Sequence, residues 1–167
     1  MVDLQHSIIP ADIKKALSEV FDPEIPVLSV LDLGVIKGVE VDGKNVLIKL
    51  SPTYSGCPAM DTMSIDIRLA LDELGYQTSI ELVLSPAWST DFISEKGRKA
   101  LEAYGIAAPL GEEADKLAII NGQRIVKCTR CGSTNTEMIS QFGSTACKAL
   151  FKCEDCLEPF DYFKCLK

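Results

Sequence analysis

Two cysteine pairs near the end of the chain have the spacing of metal ligands. Each pair has the form C-x-x-C: Cys128 with Cys131, and Cys153 with Cys156, with twenty-one residues between the pairs. Two thiolates three positions apart can bind one side of a small metal ion, and two such pairs complete a tetrahedral four-sulfur shell. The pattern predicts one structural zinc site whose binding energy folds the tail. A four-sulfur shell also accepts iron, so the spacing leaves the metal open.

Two further cysteines of the same segment, Cys147 and Cys165, stand outside the matched pairs. Their positions allow three roles: each could be a buried apolar residue, an extra metal ligand or a redox-active thiol. Because the two pairs already fill a tetrahedron, we predict that neither is a ligand.

The main part of the chain has one cysteine, Cys57, in the run SPTYSGCP between a predicted strand and a predicted helix. A thiol at a helix N-terminus meets unpaired backbone N–H groups and the positive end of the helix dipole, which favour the thiolate. The position therefore predicts an activated sulfur, but it fits a compact turn residue equally well. Taken alone, Asp22 and Glu24 are most simply turn residues. The single histidine, His6, lies near the start of the chain, so a Cys-His catalytic pair has little support.

Hydrophobic periodicity predicts the elements that position these residues. Apolar side chains three or four positions apart indicate helices, and alternating β-branched side chains indicate strands. The predicted order is a helix over 13–21, strands over 35–41 and 46–50, a helix over 60–74, a strand over 80–84 and a helix over 91–104.

This order predicts an α+β fold, in which a small sheet of about three strands is packed by helices and is followed by a small β-rich zinc ribbon. We predict an α+β domain over 1–108, a linker over 109–123 and the four-cysteine ribbon over 124–167.

Charge and composition argue against several classes of function. Residues 1–123 hold 10 Lys and Arg against 19 Asp and Glu, a net charge of −9, while 124–167 hold 7 against 5, a net charge of +2. An acidic main domain repels a polyanion, which argues against a nucleic-acid binder. No apolar run approaches the roughly 20 residues that cross a bilayer. The first residues lack the features of a secretory signal, so we expect a cytoplasmic protein with reduced thiols and no membrane association.

Several motifs resemble a known family. DPE at 22–24, LDLGVI at 31–36 and the T-x-x-x-C-P run at 53–58 are similar to the small iron-sulfur assembly domain of cluster-maturation factors. The strings FGSTACKALFKCEDC and EPFDYFKC in the tail closely resemble the PaaD family of phenylacetate-degradation accessory proteins. Together these similarities cover nearly the whole chain.

The resemblance implies a non-enzymatic role in maturing the multicomponent phenylacetyl-CoA oxygenase (epoxidase), by helping to supply or repair its iron-sulfur or iron centre. It implies an iron or cluster site at Asp22, Glu24, Thr53 and Cys57, with Cys57 as the metal or cluster contact. The expected partners are the oxygenase subunits, notably the iron-sulfur reductase component.

A single thiolate with carboxylates can hold iron only loosely, because a stable cluster normally needs four protein ligands, and loose holding suits delivery. A homodimer that shares a transient cluster between two Cys57 thiols is a further hypothesis. The alternative function is a structural or electron-transfer component of the oxygenase, with a rubredoxin-like iron site in the tail.

Overall fold

The computed structural model describes residues 9–111, 114 and 126–164. These residues form two units, which meet in the sequence between Trp88 and Ser89. The first unit consists of α1 (Ala11–Ser18), β1 (Phe21–Asp22), β2 (Ile25–Ser29), α2 (Val30–Leu33), β3 (Ile36–Asp42), β4 (Asn45–Leu50), α3 (Ala59–Asp72) and β5 (Gln77–Leu82).

The main sheet of the first unit has the strand order β3-β4-β5. β3 and β4 are antiparallel, and Gly43 takes a positive φ of 59° in the turn between them. β5 returns parallel to β4 after the crossover through α3. The prediction of a small three-stranded sheet packed by helices is therefore confirmed.

The helices of the first unit bury the stripes that the periodicity predicts. α1 buries Ile13 and Leu17. α3 packs against α1 and β5, and its buried face consists of Ala59, Met60, Met63, Ile67 and Leu71. This packing holds the start of α3, and the loop before it, in place.

The first helix is shorter than predicted, because α1 ends at Ser18 and the DPE motif lies in a turn between β1 and β2. Two buried or partly buried backbone N–H groups of this turn, those of Glu24 and Ile25, donate to the Asp22 carboxylate. A side chain that accepts bonds from its own turn stabilises a chain reversal, which ends helical structure here.

The second unit consists of a 3-10 helix (Thr90–Phe92), α4 (Glu95–Tyr104), β6 (Ile106–Ala107), β7 (Thr136–Ser140), β8 (Lys148–Cys153) and β9 (Pro159–Phe163). Its sheet has the order β6-β9-β8-β7. Three aromatic rings form the centre of its core: Phe151 lies 5.5 Å from Tyr162 in an edge-to-face arrangement and 5.9 Å from Phe160. The β-rich character predicted for the tail is confirmed.

The helix predicted over 91–104 begins later than predicted. α4 starts at Glu95, because the Ser94 side chain accepts from the N–H of Gly97 and caps it. The helix then leads into β6, which pairs in parallel with β9 of the ribbon. The two units divide between Trp88 and Ser89, whereas the predicted domains over 1–108 and 124–167 stay a prediction, and most of the predicted linker, 109–123, lies outside the described residues.

Within the described parts of the chain, the helices are too short or too polar for any of them to traverse a bilayer.

Candidate functional site

Cys57 lies in the loop over 51–58, which connects β4 to α3. Gly56 takes a φ of 80° directly before it, a left-handed conformation that favours glycine. The N–H of Cys57 donates to the carbonyl of Tyr54 at 3.3 Å, and the N–H of Met60 donates to the carbonyl of Cys57 at 3.3 Å. The thiol therefore stands two residues before α3, at the helix start that the sequence predicts.

Cys57 is largely buried, with 9% of its surface exposed. Its sulfur has two hydrogen-bond partners, the backbone N–H of Ala59 and the side chain of Thr53, and both favour the thiolate form. Thr53 is itself 8% exposed, so both the thiol and its hydroxyl neighbour are shielded from bulk water.

The carboxylates of the DPE motif, Asp22 and Glu24, affect the pKa of the same thiol. Asp22 is buried, and its Oδ1 atom accepts from the N–H of Glu24 at 2.7 Å and from that of Ile25 at 3.1 Å. The charges of Asp22 and Glu24 both raise the pKa of Cys57. The four residues predicted for the iron or cluster site, Asp22, Glu24, Thr53 and Cys57, thus belong to one locality.

The protonation state of Cys57 differs from the sequence prediction. Burial raises the pKa of this thiol above its ordinary value of 9.0, and the two carboxylates raise it further, against the hydrogen bonds from Ala59 and Thr53. Desolvation outweighs the effect of the helix start, so the pKa shift is opposite to the one that an activated sulfur would have and agrees with the alternative of a compact turn residue. The raised pKa favours the protonated thiol in the metal-free site, so a bound cation must displace a proton.

The four cysteines of the C-x-x-C pairs come together in the second unit, with all four sulfur atoms within 4.8 Å of one another. The Sγ atoms of Cys128 and Cys156 are 3.6 Å apart, and those of Cys131 and Cys153 are 3.5 Å apart. Zinc–sulfur bonds of about 2.3 Å give tetrahedral sulfur–sulfur edges of about 3.8 Å. The geometry fits one tetrahedral metal ion, and among the described residues no other group of three or more His, Cys, Asp or Glu side chains meets the same criterion.

Each knuckle ends with a residue in the left-handed conformation. Gly132, with a φ of 75°, donates from its N–H to the carbonyl of Cys128 at 2.9 Å. Leu157, with a φ of 64°, donates in the same way to the carbonyl of Cys153 at 2.9 Å. This equivalence makes the two knuckles similar structures. The left-handed conformation at Gly132 could be predicted from the sequence, because glycine favours it. The same conformation at Leu157 could not be predicted, because leucine rarely adopts it.

The thiols of Cys153 and Cys156 have pKa values shifted in opposite directions. The backbone N–H of Cys156 lowers the pKa of Cys153 to about 7, against the effect of burial. The pKa of Cys156 is raised to about 12: the backbone N–H of Glu158 lowers it, but burial and the neighbouring thiols of Cys131, Cys153 and Cys128 raise it more. Four adjacent thiolates repel one another, so all four can ionise together only when a cation neutralises their charge. Metal binding and ionisation of the four cysteines therefore occur together.

Cys147 lies outside the four-sulfur group, as predicted for a residue without a ligand role. It is buried, and its sulfur is 3.1 Å from the hydroxyl of Thr145. Cys165 lies outside the described residues.

Asp155 is a residue of the metal region that sequence reasoning missed. Its carboxylate accepts from the hydroxyl of Ser133 at 2.5 Å and from the side-chain amide of Asn135 at 2.8 Å. These bonds tie the second knuckle to the residues that follow the first. They lower the pKa of Asp155, so the link is fully present above the ordinary value of 3.8 and is lost as the pH falls through the lowered pKa. The only signal in the sequence is a carboxylate inside the C-x-x-C loop.

Replacing Asp155 with alanine should loosen the metal without removing a ligand. We expect the affinity for the bound metal to fall about tenfold, the lower end of the range for residues that orient ligands. Competition with a chelator that reports free metal measures this. Glu154→Ala, which removes the neighbouring carboxylate paired with Lys152 at 3.2 Å, is the matched control. Equal metal release from the two variants would contradict the positioning role.

Comparison with known proteins relates both sites to characterised domains. A family model described as iron-sulfur cluster assembly protein matches residues 10–82, and one described as PaaD zinc beta ribbon domain matches residues 112–164.

Individual relatives match either nearly the whole chain or about half of it. Over 151 residues the chain is 46% identical to an Escherichia coli (strain K12) protein named as a candidate subunit of 1,2-phenylacetyl-CoA epoxidase, covering 90% of this chain and 89% of that protein. It is 38% identical over 88 residues to a Porphyromonas gingivalis Fe-S protein maturation auxiliary factor, covering 51% of this chain and 83% of that one. The crystal structure of a DUF59 domain from Bacillus anthracis superposes with a TM-score of 0.50 and 26% identity, over 53% of this chain and 87% of that domain.

Proposed function

This chain belongs to the PaaD-type family of phenylacetyl-CoA epoxidase proteins, and we propose that it is a non-catalytic maturation factor for the multicomponent phenylacetyl-CoA oxygenase. It helps to supply or repair the iron-sulfur or iron centre of that oxygenase. Support comes from the names of two relatives, one an epoxidase component and the other an Fe-S protein maturation auxiliary factor.

The observation that carries this proposal is the single buried thiol of Cys57 beside two carboxylates. Asp22 and Glu24 raise the pKa of Cys57 because they disfavour a second negative charge. The same charges attract a cation, and an iron ion that binds the sulfur replaces the thiol proton. One thiolate with carboxylate oxygens is a weaker holder of iron than the four protein ligands of a stable cluster. Iron or a cluster is therefore cargo at this site.

The raised pKa also suits a carrier. An empty site holds a neutral thiol, which is a poor nucleophile and resists oxidation better than a thiolate. Binding of the cargo ionises the thiol, and release returns the proton. Two protomers that share a cluster between their Cys57 sulfurs would supply two of its ligands, and the reductase component of the oxygenase is the expected recipient.

Producing the oxygenase with and without this chain tests the function. We expect the oxygenase made alone to contain less iron and less acid-labile sulfide per protein, and to be less active in proportion. Full metallation and full activity in its absence would contradict a maturation role.

For the ribbon we propose zinc, held by the four cysteines as a closed structural site. Zinc supplies folding energy and no redox chemistry. The expected result for the purified protein is one zinc per chain and no visible absorption. A ferric four-thiolate site absorbs strongly in the visible range, and that spectrum would favour the electron-transfer alternative.

A further inference from the structure

The first unit has a groove beside α1 and α3 that shares Asp22 with the Cys57 site but does not include Cys57 itself. We call it the α1–α3 groove; its volume is about 790 Å³. Three large apolar side chains along it are exposed to solvent: Phe21 by 43%, Leu69 by 57% and Leu74 by 47%. Exposed apolar residues that line one concave surface indicate a binding site for another molecule.

The walls of this groove are strongly acidic. One basic residue, Lys15, stands against five acidic residues, which are Asp12, Glu19, Asp22, Asp66 and Glu73. A hydrogen bond from the Tyr76 hydroxyl to the Asp12 carboxylate at 2.9 Å ties α1 to the segment that follows α3, and this bond lowers the pKa of Asp12. The groove thus combines exposed apolar side chains with a net negative lining.

This combination selects the chemistry of an occupant. Anionic partners such as nucleic acid or an acidic lipid surface are repelled by the net negative lining. A helix with leucine- or phenylalanine-like side chains on one face and lysine or arginine at its edges satisfies both features, because its apolar face fills the groove and its cations meet the carboxylates.

The groove is continuous with the candidate metal site. Asp22 and Pro23 are among its lining residues, and the Asp22 carboxylate is also one of the two charges that raise the pKa of Cys57. A partner seated along α1 and α3 is therefore brought to the edge of the thiol site.

We propose that the α1–α3 groove binds a basic amphipathic segment of the oxygenase and so places the receiving protein beside Cys57. This inference rests on the proposed function, since it takes the oxygenase as the protein that is served. In this proposal the groove recognises the oxygenase, and Cys57 binds the iron or cluster that is delivered.

Affinity of the full-length protein for purified phenylacetyl-CoA oxygenase, measured by biolayer interferometry, tests the groove. Two variants alter it: Leu69→Gln with Leu74→Gln removes exposed apolar side chains, and Glu73→Lys reverses one acidic charge of the lining. Two matched controls change exposed residues of the same helical region that do not line the groove: Ile65→Gln, at a side chain that is 53% exposed, and Asp72→Lys. All of these positions are exposed, and an unchanged thermal midpoint verifies that each variant folds.

We expect each groove variant to bind at least about tenfold more weakly, as for loss of a central contact, while the controls stay within about twofold. Binding of the wild-type protein should also weaken with added salt, and less steeply in Glu73→Lys. Groove variants that bind as tightly as the controls would overturn the docking site, as would variants that change only self-association.

Measuring iron transfer to the oxygenase distinguishes a failure of the docking proposal from a failure of the proposed maturation function. Groove variants that transfer iron slowly at low concentration but normally at saturating oxygenase support docking. Wild-type protein that binds through the groove yet leaves the iron and sulfide of the oxygenase unchanged would overturn the maturation role and keep the docking site.

Discussion

Cys153→Ser is expected to release the ribbon metal and to unfold β7, β8 and β9. Cys153 is fully buried, and it lies in the same core as Phe151 and Tyr162. Metal binding contributes about 10–16 kcal/mol to the folding of comparable zinc modules, far more than a ribbon of this size can supply by packing. Metal content after gel filtration and hydrogen exchange over 136–163 measure the effect.

Cys147→Ser is the matched control, because Cys147 is also buried in the ribbon but lies outside the four-sulfur group. This control should retain one metal per chain and the slow exchange of the sheet. A Cys153→Ser protein with stoichiometric metal and unchanged exchange would show that this sulfur is not a ligand.

Asp22→Ala is expected to destabilise the first unit by about 2–5 kcal/mol. The substitution leaves the N–H groups of Glu24 and Ile25 without the acceptor that they have now, and each unsatisfied buried N–H costs about 1–3 kcal/mol. Urea denaturation that follows the tryptophan fluorescence of Trp88, which is 2% exposed in this unit, measures the loss.

The variant Asp22→Asn separates the two roles of Asp22, which are to accept hydrogen bonds in its turn and to raise the pKa of Cys57 through its charge. Its side-chain oxygen can still accept both bonds, so most of the stability should remain. The carboxylate charge is lost, and because that charge raises the pKa of Cys57, the pKa of the thiol should fall. Alkylation of Cys57 as a function of pH should shift to lower pH in this variant. An unchanged profile, or equal destabilisation by asparagine and alanine, would contradict the double role of Asp22.

Local patterns predicted most of the first unit. Alternation of β-branched residues located β3 and β4 to within one residue, because one face of each strand is buried. β1 and β2 were missed, since Pro23 and Pro26 read as helix breakers and the two strands are too short to show alternation. The parallel pairing of Ile106 with Asp161 joins residues far apart in the sequence, which no local pattern reveals.

The two sites were predictable to different degrees. C-x-x-C spacing is enough to predict a four-sulfur group, because the knuckle geometry is local. The protonation of Cys57 was not predictable from its place before α3, since burial and the charges of Asp22 and Glu24 arise from the tertiary fold. Nor could the sequence show that Phe21 and Leu69, from separate elements, line one groove.

Transfer of labelled iron is the most direct measurement of the central claim, that Cys57 holds iron for delivery. Wild-type and Cys57→Ala proteins, each with a metal-filled ribbon, would be loaded anaerobically with iron-57, freed of excess iron, and mixed with metal-free oxygenase in the presence of a chelator. The account predicts that label reaches the oxygenase from the wild-type protein, whereas Cys57→Ala neither retains nor transfers it. Equal loading and transfer by the two proteins would contradict the account.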